Sequence, residues 1–389
     1  MPLVIAINLT HTQVADIVET RETFLQILRT AFADAQAAAY PTNQLIFQVE
    51  VPNPIQWATS AAEQAVDTVQ NIYVDLFKQG VRVFRLDGIL SLEVSATGKT
   101  EQESALQPLA RIMRALEHTH QRQPGSLPPV YRLRVGASQP VSAQAVPSIG
   151  QLEQAQRVFE WITEAAGIPE ISSRLLSVDV HAGTGYSSQQ VKVFTPRKTA
   201  HLAQWVAQHP NIALGGGAVD FQLPSAVQAM RADGFRFFQL SDALYVARRE
   251  ALVALSIIEN TTMIGRPGVF LSNWIGEIDK AMQQDSTPWK DIYPGNGFDQ
   301  LLQRKFSLID RTHRFMNEDD VRNARQRLFK NFEEYPAPLM ALHQFFPHQF
   351  DQVIMGSVRN TPQGLIETYI AAAFEKYCQA CGWKRKPHD

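Results

Sequence analysis

The sequence is short of the features that would assign it quickly. Cysteine is nearly absent: Cys378 and Cys381 are the only two in 389 residues. That excludes a disulfide framework and fits a reducing compartment. Their C-x-x-C spacing lies in a helical tail without a second cysteine pair or a βαβ context, so it reads as coincidence rather than a redox or metal motif. An excess of one charge is also missing, with 36 basic against 38 acidic residues, which argues against nucleic acid or another polyanion as partner. No run approaches the roughly 18 apolar residues that span a bilayer. The start, MPLVIAINLTHTQ, has neither a basic leader nor a small-residue cleavage site and reads as a strand, not a signal peptide. The expectation is a soluble, cytoplasmic protein with no membrane partner. G-x-G-x-x-G after a first strand, G-x-S-x-G, H-E-x-x-H and the P-loop are all missing too, which removes the simplest dinucleotide, serine-hydrolase, zinc-protease and kinase readings.

What is present is alternation. Short apolar runs at 3–8, 45–50, 81–86, 130–135, 175–180, 211–214 and 235–240 predict strands. Between them, periodic apolar residues predict helices at 21–39, 57–79, 101–120, 149–166, 196–208 and 224–233, with a strongly apolar helix at 243–259. Strict β-then-α order implies parallel strands with crossover helices. Seven such units in this length suit a TIM-type (β/α) barrel better than a doubly wound sheet. Beyond Gly265 the alternation stops. Segments 273–282, 296–314, 317–332, 336–345 and 363–382 read as helices punctuated by prolines. The expected organisation is a barrel domain over 1–262 and a helical C-terminal domain over 263–389, packed on the barrel.

Candidate chemistry collects at the ends of the predicted strands. The fifth, LLSVDV, runs into His181-Ala182-Gly183, and the third into Asp87-Gly88. Asp179, between two valines, is either a buried carboxylate satisfied by an arginine or backbone donors, or an assistant in proton transfer. Gly215-Gly216-Gly217 follows the sixth strand and would let a ligand approach the backbone closely, although as a phosphate cradle it is weak. His11, His118, His120 and His201 show no ligand spacing. Arg248-Arg249-Glu250 reads as an ion-paired surface.

The C-terminal half carries a resemblance. REALVALSIIE, PWKDIYPGNGFDQLLQRKFSLIDRTHRF, NARQRLF, PLMALHQFFPHQF and ETYIAAAFEKYCQACG are long, ordered matches to one family. The chain resembles the non-catalytic subunit family of class II D-tagatose-1,6-bisphosphate aldolase, sometimes labelled tagatose-6-phosphate kinase. The resemblance implies a TIM barrel with a helical C-terminal region, and strand alignment puts residues 3–8 at the family's second strand, so the first βα unit would be lacking.

It also implies where polar strand-end groups should stand. Glu50 keeps a carboxylate, but Val51 replaces an imidazole. Asp87 is kept; Arg134-Val135-Gly136 loses a carboxylate; His181 stands for a glutamine. Gly215-Gly216-Gly217 replaces Glu-Ala-His, Asp220 is retained, and Gln239-Leu240-Ser241-Asp242 replaces a lysine-bearing segment. Asp242 would disfavour a phosphate at its helix start while capping that helix well. The three-histidine metal site of a class II aldolase is therefore not available.

The leading expectation is a divergent, non-catalytic subunit with a degenerate active site. It would support or stabilise a class II ketose-bisphosphate aldolase, with that catalytic subunit or a second copy of itself as partner. The alternative is a metal-dependent sugar or sugar-phosphate C4-epimerase or aldolase-like enzyme, with Glu50, Asp87 and His181 as catalytic and metal residues and a divalent Zn or Mn as cofactor. Asp179, Asp220 or Asp242 would then assist. The third reading is a scaffold holding a sugar phosphate at Gly183, Gly215, Gly216, Asp220 and Gln239. Kinase activity has no support in these residues.

Overall fold

The computed structural model describes residues 3–7, 17–37, 45–51, 62–86, 99–123, 125–135 and 145–382. All seven expected strands form: β1 (Leu3–Ile7), β2 (Leu45–Val51), β3 (Val83–Leu86), β4 (Val130–Arg134), β5 (Leu175–Val180), β8 (Ala213–Ala218) and β9 (Phe235–Gln239). Between β5 and β8 lies a two-stranded antiparallel ribbon, β6 (Gly185–Tyr186) and β7 (Val191–Lys192), which the sequence did not suggest. The large sheet is ordered β1-β2-β3-β4-β5-β8-β9, and the pairs from β1 to β8 are parallel. The order is linear, with β1 and β9 at its ends, so the described strands form a parallel α/β sheet and not a closed TIM barrel.

Chain contacts divide the protein into two compact units. The first comprises residues 1–183, 195–217 and 230–238. Its connecting helices are α1 (Ile17–Ala37), α2 (Ala62–Lys78), α3 (Lys99–Gln121), α4 (Ile149–Ala166) and α5 (Ala200–Gln208). α4 shows why such segments are helical. Ser148 and Gln151 form a reciprocal capping box at its start, and Gly167, at φ 69°, closes its end through two carbonyls. Leu152, Ala155, Phe159 and Ile162 line the buried stripe.

Register and pleat sort the strand residues onto two faces. Phe47, Val49, Phe84, Leu86, Tyr131, Leu133, Val178, Val180 and Leu214 are all buried and form the apolar face that meets the helices. The other face is polar: Gln48, Arg85, Arg132, Ser177 and Asp179 are buried there. The sheet is strongly curled. On a flat sheet β2 and β9 would lie about 24 Å apart, yet the single Arg132 guanidinium touches Gln48 of β2 and Phe237 of β9.

The second unit comprises residues 184–194, 218–229 and 239–389. It holds α6 (Pro224–Ala232) in large part, α7 (Asp242–Thr262), α8 (Trp274–Gln284), α9 (Gly297–Phe306), α10 (Asp319–Glu334), α11 (Leu339–Phe345), α12 (Pro347–Ile354) and α13 (Pro362–Ala380). α13 packs along α7, and α10 along α8. Leu255, Ile258, Trp274, Met282, Leu328, Phe332, Leu342, Phe346 and Leu365 form the core of this unit.

Two expectations change. The helix expected over 296–314 stops at Ser307, because Ser307 is extended (ψ 139°) and Asp310 accepts from Thr312 and His313. Arg249 is ion-paired but not at the surface: it is buried and reaches Asp310 Oδ1 at 2.8 Å and the Ser307 carbonyl at 3.0 Å. Among the described residues no helix is long and apolar enough to cross a membrane.

Candidate functional site

In the first unit the polar face of the sheet is organised by Arg132. Its Nη1 donates to Gln48 Oε1 at 2.6 Å, Nη2 to Asp179 Oδ1 at 2.8 Å, and Nε to Ser177 Oγ at 3.0 Å. Ser177 in turn donates its hydroxyl to Asp179 Oδ1 at 2.8 Å. The guanidinium also lies 4.2 Å from the centroid of the Phe237 ring, a cation–π contact. A buried charge pair is tolerated when its remaining donors and acceptors are satisfied, and these neighbours do that. Asp179 is thus a buried carboxylate held by an arginine, one of its two expected roles.

The glycine run has a steric cause. Gly215–Gly217 lie inside β8, not in a loop after it. A Cβ on Gly215 would stand 2.0 Å from Asp179 Oδ1 and 2.9 Å from Arg132 Nη2. A Cβ on Gly216, on the opposite face, would meet Met230 Cε at 2.8 Å and Phe235 Cδ1 at 3.2 Å. The first glycine makes room for the ion pair, the second for apolar packing.

The expected Glu50, Asp87 and His181 set is only partly placed. Glu50 is on β2, in register with Arg85 of β3. Asp87 lies outside the described residues. His181 is buried just past β5, and its Nδ1 accepts from the Gly183 N–H at 3.2 Å. That bond fixes the neutral tautomer with the proton on Nε2. A metal at Nδ1 would displace the Gly183 amide, and a metal at Nε2 would need the other tautomer. Among the described residues no group of three or more His, Cys, Asp or Glu could hold a metal ion. Gly183 takes φ 74°, which favours glycine, with Val146 Cγ2 3.0 Å from where a Cβ would be.

The second unit has a separate polar cluster at the start of α7. Asp220 is fully buried, and its Oδ1 accepts from the Ser241 N–H at 2.9 Å and the Ala243 N–H at 2.8 Å. These are first-turn amides, which a helix leaves without partners of its own. Asp220 Oδ2 is buried and has no hydrogen-bond partner among the described residues. Burial pushes the Asp220 carboxyl up to about 6, against the pull of the two amides, and Asp242 adds to the rise. Asp242 is itself raised by burial, although Tyr186 and Arg311 lower it. The Tyr186 hydroxyl donates to Asp242 Oδ2 at 2.8 Å, and burial drives that phenol upward. Phe221 follows Asp220 with φ 61°, packs edge-on to Tyr186 at 5.2 Å, and donates its N–H to Tyr377 Oη at 2.8 Å. Gln239, at the end of β9, is exposed, and its carbonyl accepts from the Val219 N–H.

Chemically the two clusters differ. The Arg132 network spends its donors internally. Asp220 is a carboxyl able to hold or release a proton near neutrality. Sequence reasoning missed Arg132, Gln48, Ser177 and Tyr186. The signal for Arg132 was available in VYRLR, where charge recurs at every second position of an apolar strand.

A solved structure described as a probable tagatose 6 phosphate kinase from Sinorhizobium meliloti 1021 is similar, with TM-score 0.78 and 21% identity over 98% of this chain and 93% of that one. At that identity the likeness carries the fold alone. A putative fructose-1,6-biphosphate aldolase from Coccidioides immitis gives TM-score 0.34 at 10% identity, over 85% of this chain and 81% of that one, too distant to support an argument. The family description that fits the sequence covers residues 20–382, nearly its whole length. The chain belongs to the D-tagatose-1,6-bisphosphate aldolase subunit GatZ/KbaZ-like family.

Proposed function

We propose that this protein is a divergent, non-catalytic subunit that stabilises a class II ketose-bisphosphate aldolase in the cytoplasm. The family description, that of a D-tagatose-1,6-bisphosphate aldolase subunit, supports this reading. The observation that carries the non-catalytic reading is the polar face of the sheet. Arg132 is locked there by Gln48, Ser177 and Asp179, with Arg85 and Arg134 on the same face. Class II aldol chemistry needs a divalent cation and ligands with open lone pairs. Arg132 and Asp179 already satisfy each other on that face, and the His181 imidazole is engaged with the Gly183 amide. The partner in this reading is the catalytic subunit, which supplies the metal and the reacting groups.

Co-expression with a class II tagatose-bisphosphate aldolase catalytic subunit tests this. The two chains co-elute, and the enzyme's half-life at elevated temperature lengthens. Separate elution together with an unchanged half-life would remove the proposal.

A further inference from the structure

α9, in the second unit, turns polar residues inward and apolar ones outward. Gln303 is buried, and its amide donates to the carbonyls of Pro294 at 2.5 Å and Asp299 at 3.2 Å. Arg304 reaches back to Asp279 of α8 at 2.8 Å and lies 5.5 Å from the Trp289 ring centroid. Phe298, Leu302 and Phe306 face out, 69%, 39% and 67% exposed. Spaced four residues apart, they form one stripe along the helix. A surface helix normally has the opposite arrangement, with its apolar stripe against the core and its charges in water. Single exposed apolar residues need no explanation, but an ordered stripe with two phenylalanines marks a contact surface.

The stripe is its own complement. Phe298, Leu302 and Phe306 read the same in both directions about Leu302. An isologous pair requires one patch to match itself under a two-fold axis. With that axis beside Leu302 and the helices antiparallel, Leu302 meets its counterpart, and each Phe298 meets the other copy's Phe306. The charges agree with that direction. Asp299 stands in the first turn of α9, and Lys305, also exposed, in the last. Antiparallel pairing brings each acidic first turn level with the basic last turn of the other copy, whereas parallel pairing would set like charges together. The three side chains leave on the order of 300 Å² of apolar surface per copy to be covered. With the flanking turns, an interface of about 1,000 Å² in total has the size of a transient contact, not of an obligate dimer.

We propose that α9 is the docking surface of a reversible homodimer, in which two copies of this chain pair α9 antiparallel about a two-fold axis at Leu302. This pairing does not depend on the aldolase partner proposed above, and its test uses this chain alone.

Sedimentation equilibrium of the full chain, from about 5 to about 200 µM, should show a monomer–dimer equilibrium with Kd of about 1–100 µM. Leu302→Asp places two like charges at the axis and should weaken the dimer by about tenfold or more. Crosslinking under mild oxidation reads the register, with wild type as the control because Cys378 and Cys381 are free. Leu302→Cys chains should join through a disulfide, because facing Cα atoms of packed helices come within its reach. Phe298→Cys chains, whose cysteines stand about 12 Å apart along the seam, should not join each other but should join Phe306→Cys chains. The three replaced side chains are exposed, so each variant should keep the wild-type circular dichroism. A wild type that stays monomeric at about 200 µM would overturn the inference, even if Leu302→Asp then cost it co-elution with the aldolase subunit, which would assign the stripe to that partner. A Leu302→Asp variant that dimerises as tightly as wild type, or Phe298→Cys chains that join each other as readily as Leu302→Cys chains, would also overturn it.

Discussion

Replacing Gly215 by alanine probes the architecture of the polar sheet face directly. The new Cβ would lie 2.0 Å from Asp179 Oδ1 and 2.6 Å from its Cγ, inside any tolerable contact. β8 is paired to β5 through Asp179↔Gly215, so neither backbone can retreat without disturbing the ladder. The Asp179 side chain must therefore leave, taking with it the 2.8 Å bond to Arg132 Nη2 and the hydroxyl bond from Ser177. Breaking a buried ion pair costs about 3–5 kcal/mol. Against this, alanine gains about 0.5–1 kcal/mol over glycine in a strand. The net expectation is a loss of about 2–4 kcal/mol, the difference of those two terms. Urea unfolding measures it. The route can be checked in an Asp179→Gly background, where the carboxylate clash is gone, only the tip of the Arg132 side chain at 2.9 Å must shift, and Gly215→Ala should cost under about 1 kcal/mol. A wild-type cost below about 1 kcal/mol, or an equal cost in both backgrounds, would refute the reasoning.

Two further predictions concern the second unit. Burial raises the Asp220 carboxyl in the folded state to about 6, above the ordinary carboxylate value of 3.8. The native state therefore binds the proton more tightly than the unfolded state, and stability falls as pH rises between those values. The stability of wild type relative to Asp220→Asn should drop by about 2 kcal/mol from pH 4 to pH 7 and then level off; a difference that stays flat with pH sinks the assignment. Arg249→Ala leaves Asp310 buried opposite nothing but Thr312 and His313, and burial already works against that carboxylate. Unfolding should become easier by about 3–5 kcal/mol, and a loss under about 1 kcal/mol would contradict a structural role for the pair.

The strands were legible because each is a short apolar run bounded by turn residues, and a parallel sheet buried on its helical face needs such runs. The helices were legible from periodicity, down to the Ser148 and Gly167 ends of α4. Less local features were not. Gly215-Gly216-Gly217 looks like a loop, because its cause lies on two opposite faces of a sheet and involves Asp179, Met230 and Phe235, all distant in sequence or on other elements. Arg249 looked exposed because its partner, Asp310, comes 61 residues later. α12 was missed because Pro347, which starts it, reads as a breaker, although proline suits a first helical turn. Asp220 was picked out as a strand-end carboxylate, but its capping of α7 depends on Ser241 and Ala243, some twenty residues on.

The partner role is the central claim, and the most direct measurement is the thermal inactivation of a class II tagatose-bisphosphate aldolase catalytic subunit with and without this chain. The account predicts a longer half-life when this chain is present, co-elution of the two proteins, and no cleavage of the bisphosphate by this chain alone when Zn²⁺ or Mn²⁺ is added. Metal-dependent cleavage by the isolated chain, or an aldolase indifferent to its presence, would contradict it.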